Sequence, residues 1–396
     1  MAKKRSRALV DEFKNLPFAT LTIITANVIV YLLTRARMED AVMDYGLIPS
    51  QLRIGKMLTS TFLHDGVVHL STNMALLYIF GRDIERAMGK LEYVMFYIGA
   101  CVASSVLHVA IVFAALPPFC ETRAIIGASG AVAGVMGIYA VRFHRKSFRF
   151  GEIRVPPLLL IMAWLIIQIV LGIRGLYQDA VVIERIGYWS HLGGFAFGLM
   201  IALFTNMALS GEREHLLSEA RRHYDDGSLL EAAQNYELLL KYDPENAFAH
   251  AELGRLWGIL EEQEQSVPCY QAAVEFYLAG GQEEQALVAA EEMRKFWPDA
   301  QLSAPTRFRL ASYLEEAGYP RRAIQAFQRI VDSDGTCVEA QMSLLKIGQL
   351  QLSSLDDPAA AITTLRGLLD RYPDTEWRTF VEQTLARAEE AAGQST

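Results

Sequence analysis

GASGAVAGVMGIYAVRF, residues 127–143, holds a single serine in an otherwise apolar run, with glycines at 127, 130, 134 and 137. Ser129 heads the run between Gly127 and Gly130. A second apolar stretch opens with Ser190-His191-Leu192-Gly193-Gly194. A hydroxyl and an imidazole, each set among glycines at the head of an apolar segment, predict a nucleophile and its base. The glycines at 127, 130, 134 and 137 lie broadly on one helix face, and Gly194 and Gly198 are four apart on the other segment. Small residues at this spacing let helix backbones approach closely.

Outward from this stretch, the first half of the chain is a series of apolar runs. Crossing about 30 Å of hydrocarbon takes roughly 20 apolar residues. Six segments are predicted, at about 17–34, 67–82, 91–116, 127–141, 155–173 and 188–207. Near Ser210 the composition shifts to Glu, Gln, Arg and Ala with helical periodicity. The expected organisation is a basic tail at 1–16, a membrane domain at 17–210 and a soluble domain at 211–396. Lys3, Lys4, Arg5 and Arg7, then Arg82, Arg86 and Lys90, then Arg142, Arg145, Lys146, Arg149 and Arg154, put the N-terminus and alternate loops on the cytoplasmic side. Six crossings return the C-terminus to that side. The net charge of −8 comes from the soluble half and argues against a nucleic-acid partner. The four cysteines, at 101, 120, 269 and 337, follow no metal or redox spacing and are expected to be inert.

Three polar clusters begin predicted helices on the outer side: His64, His69 and Asn73 in HDGVVHLSTN, then Ser129, then His191. Ser129 precedes Arg142, and His69 precedes Arg82, by thirteen residues; His191 lies about fifteen before Asn206. At 1.5 Å per residue each distance is roughly 20 Å, so all three clusters sit roughly 10 Å below the outer surface. Polar groups in that layer are costly unless they face a cavity or one another. His191 can then take the Ser129 proton and return it to a leaving amine. Free N–H groups at the helix start, with His69 and Asn73 four apart on one face, can hold an oxyanion.

Taken singly, each cluster has another reading. Small residues around Ser129 also suit plain helix packing, and His191 also suits an interfacial histidine. His64, His69 and Asn73 resemble a metal site that lacks a third well-spaced ligand. The hydrolase elbow G-x-S-x-G is excluded, because Ala131 stands at its last position. No acidic residue falls at the same depth, so a serine–histidine dyad is expected.

Residues 17–207 are similar to the rhomboid family of intramembrane serine proteases. GASG at 127–130, HLGG at 191–194, the H-x-x-x-x-H-x-x-x-N spacing of His64, His69 and Asn73, the Thr59-x-x-Phe62-Leu63-His64 run and Glu85-x-x-x-Gly89 carry the resemblance. It implies Ser129 as nucleophile and His191 as base. It implies an oxyanion hole of His69, Asn73 and the Ser129 backbone N–H. His64, Gly127, Gly130 and Gly194 then support the cavity. The implied substrates are single-span membrane proteins cut in or near the outer part of their crossing, with no cofactor or metal. A lipid bilayer, that of a bacterial inner membrane, surrounds the domain. Two departures stand out. Gly55-Lys56 replaces a frequent Trp-Arg pair, and Ala133 replaces a tyrosine that stacks on the histidine in some bacterial members; Tyr188 or Trp189 is expected to take its place.

In the second half, Ala232, Tyr236 and Pro244 recur as Ala286, Ala290 and Pro298, then as Ala361, Leu365 and Pro373. Ala323 and Phe327 mark another unit, and Leu253-Gly254, Tyr270 and Ala273 fill positions between. Small residues where helices touch, proline after the second helix and spacings of roughly 34 residues resemble tetratricopeptide repeats, four to five in number. The whole chain is therefore expected to be all-α, a six-helix membrane core followed by a solenoid of helix pairs. Such arrays offer a surface for a protein or peptide partner. The competing expectation is a non-catalytic membrane scaffold or adaptor.

Overall fold

The computed structural model describes residues 16–151, 153–176 and 187–394. Apart from Leu16, the basic tail expected at 1–16 lies outside the described residues. Among the described residues the fold is all-α except for one short hairpin, and the chain divides into two compact units, Met1–His215 and Leu216–Thr396.

The first unit comprises α1 (Phe18–Thr34), α2 (Met38–Tyr45), α3 (Ile54–Thr59), α4 (Val67–Met88), α5 (Lys90–Ala115), α6 (Ser129–Arg142), α7 (Pro157–Leu176) and α8 (Tyr188–Phe204). It also contains the start of α9 (Met207–Asp225). Between α6 and α7 a hairpin pairs β1 (Phe148–Phe150) antiparallel with β2 (Ile153–Val155), placing Arg149 opposite Arg154. Among the described residues, three helical stretches are long and apolar enough to cross a membrane: Phe18–Tyr45, Lys90–Ala115 and Pro157–Leu176. A fourth is formed if Tyr188–Phe204 and Met207–Asp225, bent by 69°, are counted together. The bend falls at Asn206, which has φ +51°.

The remaining two of the six expected segments are helical but differ in character. α4 ends in Arg82, Asp83, Glu85 and Arg86. α6 has only 14 residues, a length of about 21 Å. α6 is covered by its neighbours, whereas α4 leaves Val67, Val68, Tyr78 and Ile79 exposed. Every residue of α6 from Gly130 to Tyr139 is buried, and the helix packs against α4, α5, α7 and most extensively α8. Leu77, Ile84, Tyr93, Ala100 and Ile161 are fully buried and belong to the core around it.

Polar ties set the ends. The Glu85 carboxylate accepts from the backbone N–H groups of Ala19 (2.9 Å) and Thr20 (2.8 Å) and from the Thr20 hydroxyl (2.8 Å). A carboxylate from α4 thereby caps the N-terminus of α1, meeting N–H groups that no helical partner can satisfy. Gly89, at φ +96°, turns the chain from α4 into α5. At the far end of α6, Arg142 pairs with Glu214 (2.6 Å) and Arg145 with Glu212 (2.8 Å), fixing the first turns of α9.

The second unit continues through α10 (Leu229–Tyr242), α11 (Ala247–Ile259), α12 (Gln263–Ala279), α13 (Glu283–Phe296), α14 (Ala304–Glu316), α15 (Pro320–Ser333), α16 (Val338–Ser353), α17 (Pro358–Arg371) and α18 (Arg378–Gln394). Ala232, Ala249, Ala273, Ala286, Ala323 and Ala361 are fully buried where helices meet. Gly254 faces the Tyr270 ring so closely that an added Cβ would stand 2.9 Å from it. The units are less regular than a 34-residue repeat: Ala286, Ala323 and Ala361 follow at intervals of 37 and 38. The 16-residue α16 accounts for part of the excess. Tight turns between helices use left-handed residues, Gly227, Gly281 and Gly318, with Glu261 and Asp356 in comparable turns. Arg255 joins α11 to α13 by a two-pronged bond to Glu292 (2.8 and 3.0 Å), and also binds Glu252 (2.9 Å). All four cysteines are free; Cys101 and Cys120 are buried.

Candidate active site

Ser129 opens α6 because the chain before it turns sharply. Gly127 has φ +114°, and its N–H donates to the Ser60 carbonyl (2.9 Å). A side chain there would also stand 2.7 Å from His69 Nε2. Backbone conformation and the neighbouring ring therefore both require glycine. Ala128 is fully buried. The helix starts immediately, so the N–H groups of its first turn have no helical acceptor.

His191 stands one turn into α8, whose backbone lies directly on that of α6. A Cβ on Gly194 would overlap the carbonyl of Gly130, and one on Gly198 would overlap that of Gly134. From the other side, a Cβ on Gly137 would strike the Phe195 carbonyl. This glycine seam brings Ser129 Oγ within 2.7 Å of His191 Nε2, across 62 positions of sequence.

The second ring nitrogen has a partner that sequence reasoning missed. His191 Nδ1 donates to Gln168 Oε1 of α7 at 2.8 Å. An amide oxygen only accepts, so the ring hydrogen is on Nδ1 and the Nε2 lone pair faces the serine hydroxyl. Gln168 and His191 are both buried, while Ser129 is half-buried. The Trp164 ring, one turn before Gln168, lies 5.8 Å from the imidazole centre at 35°. These α7 groups occupy the place that Tyr188 or Trp189 was expected to take; both of those residues lie near Gly172. A lone glutamine in an apolar helix gives no signal by itself. Only its one-turn spacing from Trp164 hints at a shared inward face.

α4 supplies the third group of side chains. His69 Nε2 and Asn73 Nδ2 border Gly127, 2.7 and 3.8 Å from where its Cβ would stand. Asn73 donates one amide hydrogen to His64 Nε2 (3.1 Å) and keeps the other. The fully buried His64 ring meets His69 edge to face at 5.0 Å. His69 Nδ1 donates to the Asp65 carboxylate at 2.7 Å, a pairing that the four-residue spacing allowed but sequence reasoning left unused. Gly130 lies beside the hydroxyls of Ser104 and Ser190. Among the described residues no three metal-ligating side chains converge. The arrangement can deprotonate a hydroxyl at Ser129 and offer N–H donors on one side of it.

Residues 51–207 match the Rhomboid domain family model, and residues 342–375 match a Tetratricopeptide repeat model. RHOMBOID-like protein 4 of Arabidopsis thaliana is 28% identical over 148 residues, which cover 37% of this chain and 32% of that protein. Rhomboid protease GlpG of Haemophilus influenzae is 27% identical over 127 residues, 31% of this chain and 62% of the relative. Rhomboid protease GluP of Bacillus subtilis is 32% identical over 95 residues, 24% and 17% of the two chains. The similarity spans less than two thirds of each of these relatives.

Proposed function

From the rhomboid domain that this chain carries over residues 51–207, we propose that the protein is an intramembrane serine endopeptidase that cuts single-span membrane proteins. The observation that carries this reading is the 2.7 Å contact of Ser129 Oγ with His191 Nε2, with the opposite ring nitrogen tied to Gln168.

The chemistry runs in two halves. Ser129 Oγ attacks the scissile carbonyl carbon as its proton passes to His191 Nε2, and the carbonyl electron pair moves onto oxygen. The oxyanion accepts from the Ser129 backbone N–H, from the second amide hydrogen of Asn73 and from His69. Because His69 Nδ1 already donates to Asp65, donation from Nε2 uses the imidazolium, with the Asp65 carboxylate as counter-charge. Collapse of the intermediate expels the amine, which takes the proton from His191. Water then attacks the acyl ester, with His191 again as base, and frees Ser129. Gln168 does not touch the reacting atoms; it is a positioning residue that fixes tautomer and ring plane.

α6 is about 21 Å long against a hydrocarbon layer of about 30 Å. With Arg142 at one surface, its other end places Ser129 inside the layer. A substrate helix must open there to expose a peptide bond, since apolar helices keep their backbone bonds in lipid. The basic loops support an inner-membrane orientation with both termini cytoplasmic. The repeat unit then binds a protein partner or a substrate tail.

The test is reconstitution of wild type, Ser129→Ala and His191→Ala in liposomes with a single-span substrate. Cleavage by wild type alone, with fluorophosphonate labelling lost in Ser129→Ala, is the expected result. Folded wild type that neither cleaves nor labels would make the protein a scaffold instead.

A further inference from the structure

Over Leu216–Thr396 the chain has sixteen Lys and Arg against thirty Asp and Glu. One place reverses that sign. Between α13 and α15, above α14, lies a cleft of about 560 Å³. Its lining holds four arginines, Arg294, Arg307, Arg322 and Arg329, against two carboxylates, Glu291 and Asp332. The carboxylates are already engaged. Glu291 accepts from Arg322 (2.6 Å), and Asp332 accepts from Gln328 (2.8 Å).

The cationic side is under-satisfied by comparison. Arg294 and Arg329 are exposed and form no hydrogen bond or ion pair among the described residues. Arg294 and Arg329 line the same cleft; desolvation and then Arg294 lower the pKa of the Arg329 guanidinium, while the Glu291 carboxylate acts the other way. Arg307 donates through one terminal nitrogen to Ser333 Oγ (2.5 Å), and its Nε is buried without a partner. An unmatched N–H of this kind is costly unless an acceptor arrives. The floor beneath is apolar: Leu310, Leu314 and Met293 are buried, with Leu287 and Ala290 packed beside them.

We propose that this cleft docks an acidic peptide segment whose apolar side chains enter the floor while its carboxylates meet Arg294, Arg307 and Arg329. The inference rests on the reading of the repeat unit as protein-binding, and it names the subsite and the ligand chemistry. The volume falls within the roughly 300–1,000 Å³ that concave binding sites occupy, enough for a few side chains and too little for a folded domain. Guanidinium groups pair with carboxylates in forked geometry, and apolar contacts below shield those pairs from solvent. A neutral peptide of the same shape lacks the electrostatic half, and a basic one is repelled.

The experiment uses the full chain carrying Ser129→Ala in detergent micelles, so that peptide-bond chemistry plays no part. The probe is a fluorescein-labelled peptide of alternating glutamate and leucine, with a glutamine–leucine peptide as control. Fluorescence anisotropy should give saturable binding of the acidic peptide. Affinity should fall at least about tenfold, roughly 1.4 kcal/mol, in Arg294→Glu/Arg329→Glu and by less in Arg294→Gln/Arg329→Gln. Added salt should weaken binding. Both sites are exposed, so unchanged thermal unfolding should accompany the loss. Saturable binding that ignores the arginines overturns this subsite while leaving a protein-binding repeat unit intact. Absence of binding overturns this subsite and leaves the protein-binding reading of the repeat unit to other faces of it. Displacement of the peptide by phosphatidylserine added to the micelles, with the same arginine dependence, would reassign the cleft to lipid headgroups.

Discussion

In the Met1–His215 unit one large core runs from Ala19 to Met207, with a small satellite around Leu47, Met57 and Val109. In Leu216–Thr396 the buried side chains fall into four separate clusters. The first interior is organised around a glycine seam in which two backbones touch. The second is built from alanine and aromatic contacts that each involve adjacent helices. Lipid offers no hydrophobic drive for helices to associate, so close packing and polar ties must hold the first unit. Water drives apolar burial in the second, and each helix pair needs only its neighbours. The expected consequence is a membrane unit that responds to damage as a whole and a repeat unit that responds locally.

The strongest challenge to that contrast is Gly194→Val. No adjustment of a side chain clears the Gly130 carbonyl, so α6 and α8 must separate. Fluorophosphonate labelling of Ser129 and cleavage should both disappear, and the thermal transition of the membrane unit should be lost. A folded, labelled variant would break the comparison. Phe327→Ala comes next. Phe327 is fully buried among Ala311, Leu314 and Ile330, and its removal should cost about 3–5 kcal/mol. Hydrogen exchange should loosen around α14 to α16 while labelling of Ser129 stays unchanged.

A smaller effect separates position from packing inside the membrane unit. Gln168→Leu should lower kcat about 10- to 100-fold, roughly 1.4–2.7 kcal/mol, with KM nearly unchanged. Gln168→Glu keeps an acceptor for His191 Nδ1 and should restore much of the rate. A purely structural role for Gln168 would instead lower the yield of folded protein, and the acidic variant would give no rescue. The smallest effect belongs to Glu261→Gly. Glu261 sits at φ +61° between α11 and α12, where glycine relieves backbone strain. A gain of roughly 0.5–1 kcal/mol should appear in denaturant unfolding of the repeat unit, with no change in cleavage.

The same contrast explains what could be read from the chain alone. Runs of apolar residues and the glycines of 127–137 and 194–198 mark helices and their contact faces by period, so those elements were legible. α6 begins at Ser129 rather than at 127, because the left-handed Gly127 belongs to the turn. The β1–β2 hairpin went unseen: each strand has three residues, too few for a two-residue period to stand out from a basic loop. Ser129 and His191 were visible as polar groups in apolar runs. Gln168 was not, since its importance exists only after α7 and α8 are side by side. Asp65 was visible, but its bond to His69 depends on a loop conformation that spacing permits without requiring. In the second unit, alanines at helix contacts were legible. The reversed charge of the α13–α15 cleft was not, because its four arginines are spread over 36 residues of an acidic sequence.

The carboxylate that caps α1 belongs to a residue 66 positions further along the chain than Ala19. At roughly 5–20 residues per second, ribosomes need roughly 3–13 s to bridge that interval. During synthesis α1 is therefore finished well before its cap exists, and its first N–H groups must find water or lipid headgroups in the meantime. α4 completes α1 as it arrives, so the first helix is anchored retroactively. A nascent chain cut short before Glu85 therefore leaves the first turn of α1 without the carboxylate that satisfies it.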